Sequence, residues 1–135
     1  MAYLLDTNVL SEILRRRPSQ SVLERLDQVP VADLFSSSIS VMELKFGAAR
    51  HPRGEPLWER IESELLTRVV IIGIGTAEAV RAGEVLSELE SAGTPIGVED
   101  VLIGSTALVH DLTVVTRNVK HFQRISHLDV ESWWS

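Results

Sequence analysis

Short runs of apolar residues alternate along this chain with longer stretches in which apolar side chains recur every three or four positions. The short runs predict five β-strands, at residues 2–5, 34–37, 69–72, 112–116 and 128–130. Strands that alternate with helices are typical of a mostly parallel sheet covered by helices on both faces. We therefore expect one α/β domain over residues 1–135, a three-layer sandwich around a central five-stranded sheet.

Helical spacing predicts six helices in the intervals between the strands, and most of them have identifiable ends. The predicted starts are Asn8, Ser21, Ser40, Leu57, Thr76 and Val98. The spacing of Ser21 with Glu24, and of Ser40 with Glu43, is that of a capping box. Thr76 is a candidate cap for the fifth helix.

The first predicted helix runs to residue 16, the third to 50, the fifth to about 92 and the sixth to 110. Proline or glycine follows most of these ends. The helix over 98–110 is apolar around most of its circumference, so we expect it to lie centrally against the sheet.

The composition is that of a single globular domain. A chain of 135 residues with 44% hydrophobic residues can bury a core without disulfides, and the absence of cysteine excludes thiolate metal sites. The opening segment Met1–Asp6 has too few consecutive apolar residues for a signal peptide. The longest later apolar run, Val69–Ile74, is far shorter than the ~20 residues of a membrane span. We expect a soluble cytoplasmic protein with no membrane partner.

The net charge of −6, from 19 acidic and 13 basic residues, counts against attraction of nucleic acid to the whole surface. A bound cation reverses the local field of a carboxylate cluster. An RNA substrate would therefore have to be held locally, at such a cluster.

Polar residues follow several of the predicted strands, where ligands of open parallel sheets bind. Asp6 directly follows the first strand, Glu43 lies in the first turn of the helix after the second, and Asp100 lies in the first turn of the apolar helix. Thr116, Arg117 and Asn118 follow the fourth strand. We expect these four positions to meet at one edge of the sheet.

Each carboxylate also has a structural interpretation as a helix cap. Asp6 could cap the helix at Asn8, a role worth ~1 kcal/mol, Glu43 could complete a capping box, and Asp100 could complement a helix dipole. Capping does not readily explain why all three carboxylates would meet, because carboxylates ~5 Å apart repel by roughly 3 kcal/mol per pair at an effective dielectric near 20. Raised pKa values or a divalent cation would relieve this repulsion.

Oxygen ligands without cysteine or clustered histidine favour Mg²⁺ or Mn²⁺. Such an ion can lower the pKa of a bound water and orient it for in-line attack on a phosphodiester. The acidic residues therefore indicate nuclease chemistry.

Four segments resemble, in order and over nearly the whole chain, the motifs of the PIN-domain family and, within it, of the VapC-type toxins. The segments are Leu4–Leu10, Ser40–Gly47, Glu99–Ala107 and Val115–Asn118, the last followed by His121 and Phe122. The resemblance implies a parallel five-stranded sheet and a Mg²⁺- or Mn²⁺-dependent endoribonuclease. It also implies a homodimer and a cognate antitoxin that neutralises the toxin and provides its only link to DNA.

In this resemblance Asp6, Glu43 and Asp100 match the metal-site acids. We expect Asp6 and Asp100 to hold the ion while Glu43 orients or deprotonates the attacking water. Asn118 and Thr116 would position water or phosphate, and Arg117 is a candidate phosphate contact.

The chain departs from the family pattern at Asn118, where many relatives have aspartate, and this weakens the case for a second metal ion. Gly104 and Ser105 replace the more usual small alanines.

The main alternative is a PIN-fold module that binds RNA or a partner but is catalytically weakened at Asn118. A phosphoacceptor signalling domain would carry an aspartate after the third strand, where this chain has Ile72–Gly75. Arg15–Arg17 could contact RNA phosphates, but cations are also favoured at a helix end, and we interpret them as a solvated helix end. Trp133 and Trp134 could form a dimer or antitoxin surface, but we interpret them as packing of the last strand. The four histidines are interpreted as surface or supporting residues.

Overall fold

A computed structural model describes residues 1–135. Its single sheet has five parallel strands in the order β3-β2-β1-β4-β5, which confirms the predicted architecture. The strands are β1 Tyr3–Leu5, β2 Leu34–Ser37, β3 Val70–Ile72, β4 Thr113–Val115 and β5 Val130–Glu131.

Seven α-helices surround the sheet. They are α1 Thr7–Ile13, α2 Gln20–Gln28, α3 Ser38–Ala49, α4 Gly54–Arg60, α5 Thr76–Ala92, α6 Val98–His110 and α7 Val119–Phe122. A 3₁₀ turn covers Val31–Asp33, and a π-helical turn at Ile61–Leu65 continues α4. None of the helices is long and apolar enough to cross a membrane.

Three predicted helix caps were wrong, and each real cap lies one to three residues earlier. Ser19 caps α2 in place of Ser21, whose hydroxyl donates to the carbonyl of Trp133 instead. Ser37 caps α3 by accepting the N–H of Ser40 at 3.3 Å, because the chain passes from β2 into α3 without a linker. Thr76 lies inside α5.

Two hydrophobic layers lie on opposite faces of the sheet. Adjacent residues of β1 point in opposite directions, so that Leu5 joins the layer formed with α1 to α4 and Leu4 joins the layer formed with α5 to α7. Trp133 packs into the first layer, edge-on to Tyr3 with ring centroids 5.4 Å apart, as predicted for the C-terminal tryptophan.

The helix α6 is central, as its sequence predicted. Its residues from Ile103 to Ala107 are all buried. Gly104 allows the segment after α7 to approach it closely, since a β-carbon at this position would lie 2.5 Å from Cδ1 of Ile125. Packing of α7 against α6 fixes the position of the residues that follow β4.

Candidate active site

Asp6 is the buried carboxylate at the carboxyl end of β1. It caps α1, with Oδ1 accepting the backbone N–H of Thr7 at 2.8 Å, and Oδ2 accepts the hydroxyl of Thr116 at 2.8 Å. Its side chain is held on both oxygens, and the residue is only 4% exposed. The capping interpretation is therefore correct for Asp6, but it does not account for the second oxygen.

The pKa of Asp6 is raised from 3.8 to about 6. Burial is the main cause, the hydrogen bonds from Thr116 and Thr7 oppose it, and the nearby charges of Asp100 and Glu43 raise the pKa further. All three carboxylates line one cleft, so the convergence predicted from the strand ends is confirmed.

Glu43 reaches this cleft from the second turn of α3, one turn later than predicted because the helix begins at Ser38. Its Oε1 accepts the hydroxyl of Thr7 at 2.6 Å, and Ser40 Oγ lies 2.9 Å from the same hydroxyl. Glu43 therefore has no capping role, and α1 and α3 are joined through Thr7.

Asp100 enters the cleft from the third residue of α6. Its Oδ2 lies 3.5 Å from Nδ1 of His121, and its side chain is 25% exposed. It makes no side-chain hydrogen bond that caps α6. His121, which the sequence placed among the surface or supporting residues, is the partner of this carboxylate.

The segment after β4 contributes one buried residue and two exposed ones. Thr116 is fully buried, donates to Asp6 and accepts the backbone N–H of Asn118 at 2.9 Å. Arg117 and Asn118 line the cleft, and the Arg117 guanidinium lies 5.2 Å from the ring centroid of Trp134. This geometry favours a positioning role for Thr116 over direct contact with substrate.

The cleft encloses about 440 Å³, and all ten residues that line it are polar or charged. Four of these residues were not predicted from the sequence to belong to the site: Thr7, Asn8, Ser11 and Glu12. Glu12 accepts the N–H of Ser19 at 2.7 Å and pairs with Arg15 at 3.2 Å.

Burial acts to raise the pKa of Glu12, but the hydrogen bonds from Ser19 and Arg15 outweigh it and hold the pKa below its ordinary value. Glu12 lies three residues after Val9, on the buried face of α1, and a carboxylate on an apolar helical stripe was the signal that could have identified it. Arg15 lines the cleft while remaining exposed to solvent, so the solvated interpretation of this arginine is only partly correct.

The acidic side chains surround the cleft without forming a closed cluster. No group of three or more acidic or histidine side chains is arranged to hold one metal ion. Glu43 and Asp100 are instead engaged by Thr7 and His121. The donor set nevertheless suits a hard divalent cation, because it consists of oxygen ligands around a buried carboxylate whose ionisation is disfavoured.

A second groove of about 330 Å³ adjoins the cleft and shares Thr7, Ser11, Arg15 and Glu43 with it. Its other wall is formed by apolar and small residues of α3, α4 and the π-helical turn, together with the C-cap residue of α1. These are Leu14, Leu44, Gly47, Ala48, Leu57 and Ile61.

The family model of the PIN domain matches residues 3–128 of this chain. The chain is 33% identical over 134 residues to Ribonuclease VapC2 of Rickettsia felis, with 98% of both chains covered. It is 30% identical over 133 residues to the tRNA(fMet)-specific endonuclease VapC of Salmonella typhimurium, with 98% of each chain covered.

Solved structures give the same result for the fold. The FitAcB structure from Neisseria gonorrhoeae superposes with a TM-score of 0.90 at 33% identity, with 98% of each chain covered. VapBC2 from Rickettsia felis, bound to a DNA fragment from its promoter, superposes with a TM-score of 0.89 at 32% identity, covering 98% of this chain and 99% of that one.

Proposed function

Because this chain belongs to the PIN domain family, we propose that it is the endoribonuclease toxin of a toxin-antitoxin pair. It hydrolyses phosphodiester bonds of RNA, the activity named for its VapC relatives. The observation that carries the proposal is the meeting of Asp6, Glu43 and Asp100 in one cleft that has no hydrophobic lining. Repelling carboxylates around a buried aspartate serve no purpose in packing.

We propose Mg²⁺ or Mn²⁺ as the cofactor. Asp6 and Asp100 would hold the ion, and Glu43 faces the same space. When bound, such an ion lowers the pKa of a water molecule and neutralises charge on the phosphate oxygens. The raised pKa of Asp6 supports this assignment, because a neighbouring cation would favour the ionised form that burial disfavours.

The other residues of the cleft would orient Asp6, the attacking water and the phosphate. Thr116 and the N–H of Thr7 fix both oxygens of Asp6, so that its carboxylate is oriented before substrate arrives. Glu43 accepts a proton from the attacking water or orients it, and the hydroxyl of Thr7 holds Glu43 in place. Asn118 and Arg117 contact the phosphate from the exposed side of the cleft.

An antitoxin protein is the proposed partner, as in the toxin-antitoxin complexes of the similar structures. The apolar groove beside the cleft suits an apolar peptide segment whose end reaches Arg15 and Glu43. Contact with DNA would be made through the antitoxin. We propose a homodimer as the assembly of the toxin, which light scattering of the purified chain would test.

Cleavage of total cellular RNA by the purified protein tests the proposed activity. The reaction is run with Mg²⁺, with Mn²⁺ and with chelator, beside the Asp6→Asn variant as the control for contaminating nucleases. We expect discrete fragments that require the metal and are absent with the variant. Identical patterns from both proteins would contradict the proposal and favour the second candidate, a PIN-fold binding module weakened at Asn118, which carries no charge.

A further inference from the structure

A basic surface adjoins the active-site cleft on the side of α7. It borders a depression of about 510 Å³ lined by six residues, of which Arg117, Lys120 and Arg124 are cationic and none is acidic. The depression shares Arg117 and Asn118 with the active-site cleft, so the two lie side by side on the protein surface.

This surface is positively charged, whereas the molecule as a whole is negatively charged. The chain carries six more acidic than basic residues, yet the stretch 117–124 contains three cationic residues and no acid. None of the six ion pairs of the structure involves Arg117, Lys120 or Arg124. These three charges are therefore available to an external anion.

The positions of two of the cations are fixed by local contacts that leave them accessible. The Arg117 guanidinium stacks over Trp134, and one nitrogen of Arg124 donates to the carbonyl of Pro95 at 3.0 Å while the residue remains exposed. Guanidinium groups held in this way contact phosphate at little further entropic cost. Lys120 is exposed between them.

We propose that Lys120 and Arg124 bind the phosphate backbone of single-stranded RNA on one side of the scissile bond. The inference rests on the proposed ribonuclease function and adds to it the path of the substrate beyond the cleft. A protein of net charge −6 has little long-range attraction for RNA, so a local cationic track beside the carboxylates would supply the affinity that the overall charge does not.

The test compares two double variants that each lose two exposed, unpaired positive charges. Lys120→Ala/Arg124→Ala removes the proposed contacts. Arg53→Ala/Arg68→Ala is the matched control, since Arg53 follows α3 and Arg68 precedes β3, away from the carboxyl edge. The substrate is a short RNA that the wild type cleaves, synthesised with extensions on either side of the scissile bond.

Extension on one side should lower the KM of the wild type and of the control. The Lys120→Ala/Arg124→Ala variant should lose this gain, with KM on the extended RNA raised about tenfold and kcat within about twofold of the wild type. The slope of log KM against log salt should become shallower by about 1.4, the value for two lost phosphate contacts to a single strand. Equal KM values and slopes for the two double variants would overturn the proposal.

Fluorescence anisotropy separates this inference from the proposed function. Binding of labelled mixed-sequence RNA, in a minimal and an extended length, is measured with Asp6→Asn protein, so that neither cleavage nor a known cleavage site is required. Weaker, less salt-dependent binding caused only by Lys120→Ala/Arg124→Ala would support the basic track even if no RNA were hydrolysed. Failure of the Asp6→Asn protein to bind extended RNA more tightly than the minimal RNA would overturn it.

Discussion

The hydroxyl of Thr116 connects the buried and exposed parts of the site. It donates to Asp6 and accepts from the backbone of Asn118, although the residue itself has no exposed surface. Replacement by the isosteric valine should remove both bonds and leave one Asp6 oxygen unpaired. We expect Thr116→Val to reduce the cleavage rate by roughly 10- to 100-fold, as is typical when a residue that orients a metal ligand is lost.

Thr116→Ser is the matched control, because it restores the hydroxyl without the methyl group. Serine should recover most of the cleavage rate in steady-state assays at saturating metal. Equal losses in Thr116→Val and Thr116→Ser would show that packing at this position matters and the hydrogen bond does not.

Asp6 makes the metal-free protein less stable as it ionises. Its pKa of about 6 in the folded state lies above the ordinary value of 3.8, so the native state holds the proton more tightly than the unfolded chain. The contribution of Asp6 to the unfolding free energy should therefore fall between about pH 4 and pH 6, by on the order of 3 kcal/mol, and should change little above pH 7.

Urea unfolding in chelator, with Asp6→Asn measured alongside, isolates this contribution. The variant lacks the titrating group, so the stability of the wild type minus that of Asp6→Asn should decrease with rising pH. A difference that stays constant from pH 4 to pH 7 would mean that the carboxylate ionises normally and that the site is not electrostatically strained.

At the scale of whole elements, Glu78 ties the start of α5 to the end of α6. Its carboxylate accepts the N–H of Gly75 at 2.7 Å and lies 3.1 Å from Nε2 of His110. The hydrogen bond from Gly75 is the main reason that the pKa of Glu78 is held below 4.5. The ionised form therefore stabilises the fold, and this contribution is lost as pH falls through the folded pKa.

Glu78→Gln should lower the melting temperature at neutral pH and leave the cleavage rate unchanged, since Glu78 lies outside the cleft. The difference in melting temperature from the wild type should shrink as the pH falls below the ordinary pKa of 4.5 and through the lower pKa of the folded state. The melting temperatures are measured by thermal unfolding. A difference between Glu78→Gln and the wild type that does not change with pH would mean that the loss of stability comes from altered packing and not from the lost charge.

Strand positions were predicted from the sequence more accurately than helix starts. Apolar runs located all five strands, but not for one reason. β1 and β4 are buried at every residue, so their runs reflect burial on both faces of the sheet. β3 is an edge strand exposed at Val70 and Ile71, and its run reflects the preference of β-branched residues for strands. Helix starts were less predictable, since Ser36, Ser37, Ser38 and Ser40 offer several possible caps near α3 and the direct passage from β2 selects Ser37. The four-residue α7 is too short to have a helical period.

For the whole molecule, the strand order explains why residues far apart in sequence meet. β1 lies between β2 and β4, so the residues after these three strands share one edge of the sheet. That edge was predictable from strand ends, and so were Asp6, Glu43 and Asp100. The contact of His121 with Asp100 was not, because it depends on how α7 packs against α6.

The measurement that tests the central claim most directly is the paired effect of Asp100→Asn on RNA cleavage and on metal-free stability. Asp100 makes no capping hydrogen bond, and its charge raises the pKa of Asp6. We predict that cleavage in Mg²⁺ or Mn²⁺ collapses while the metal-free unfolding free energy stays level or rises, because repulsion is relieved. Retained cleavage with reduced stability would contradict the account and return Asp100 to the role of a helix-stabilising residue.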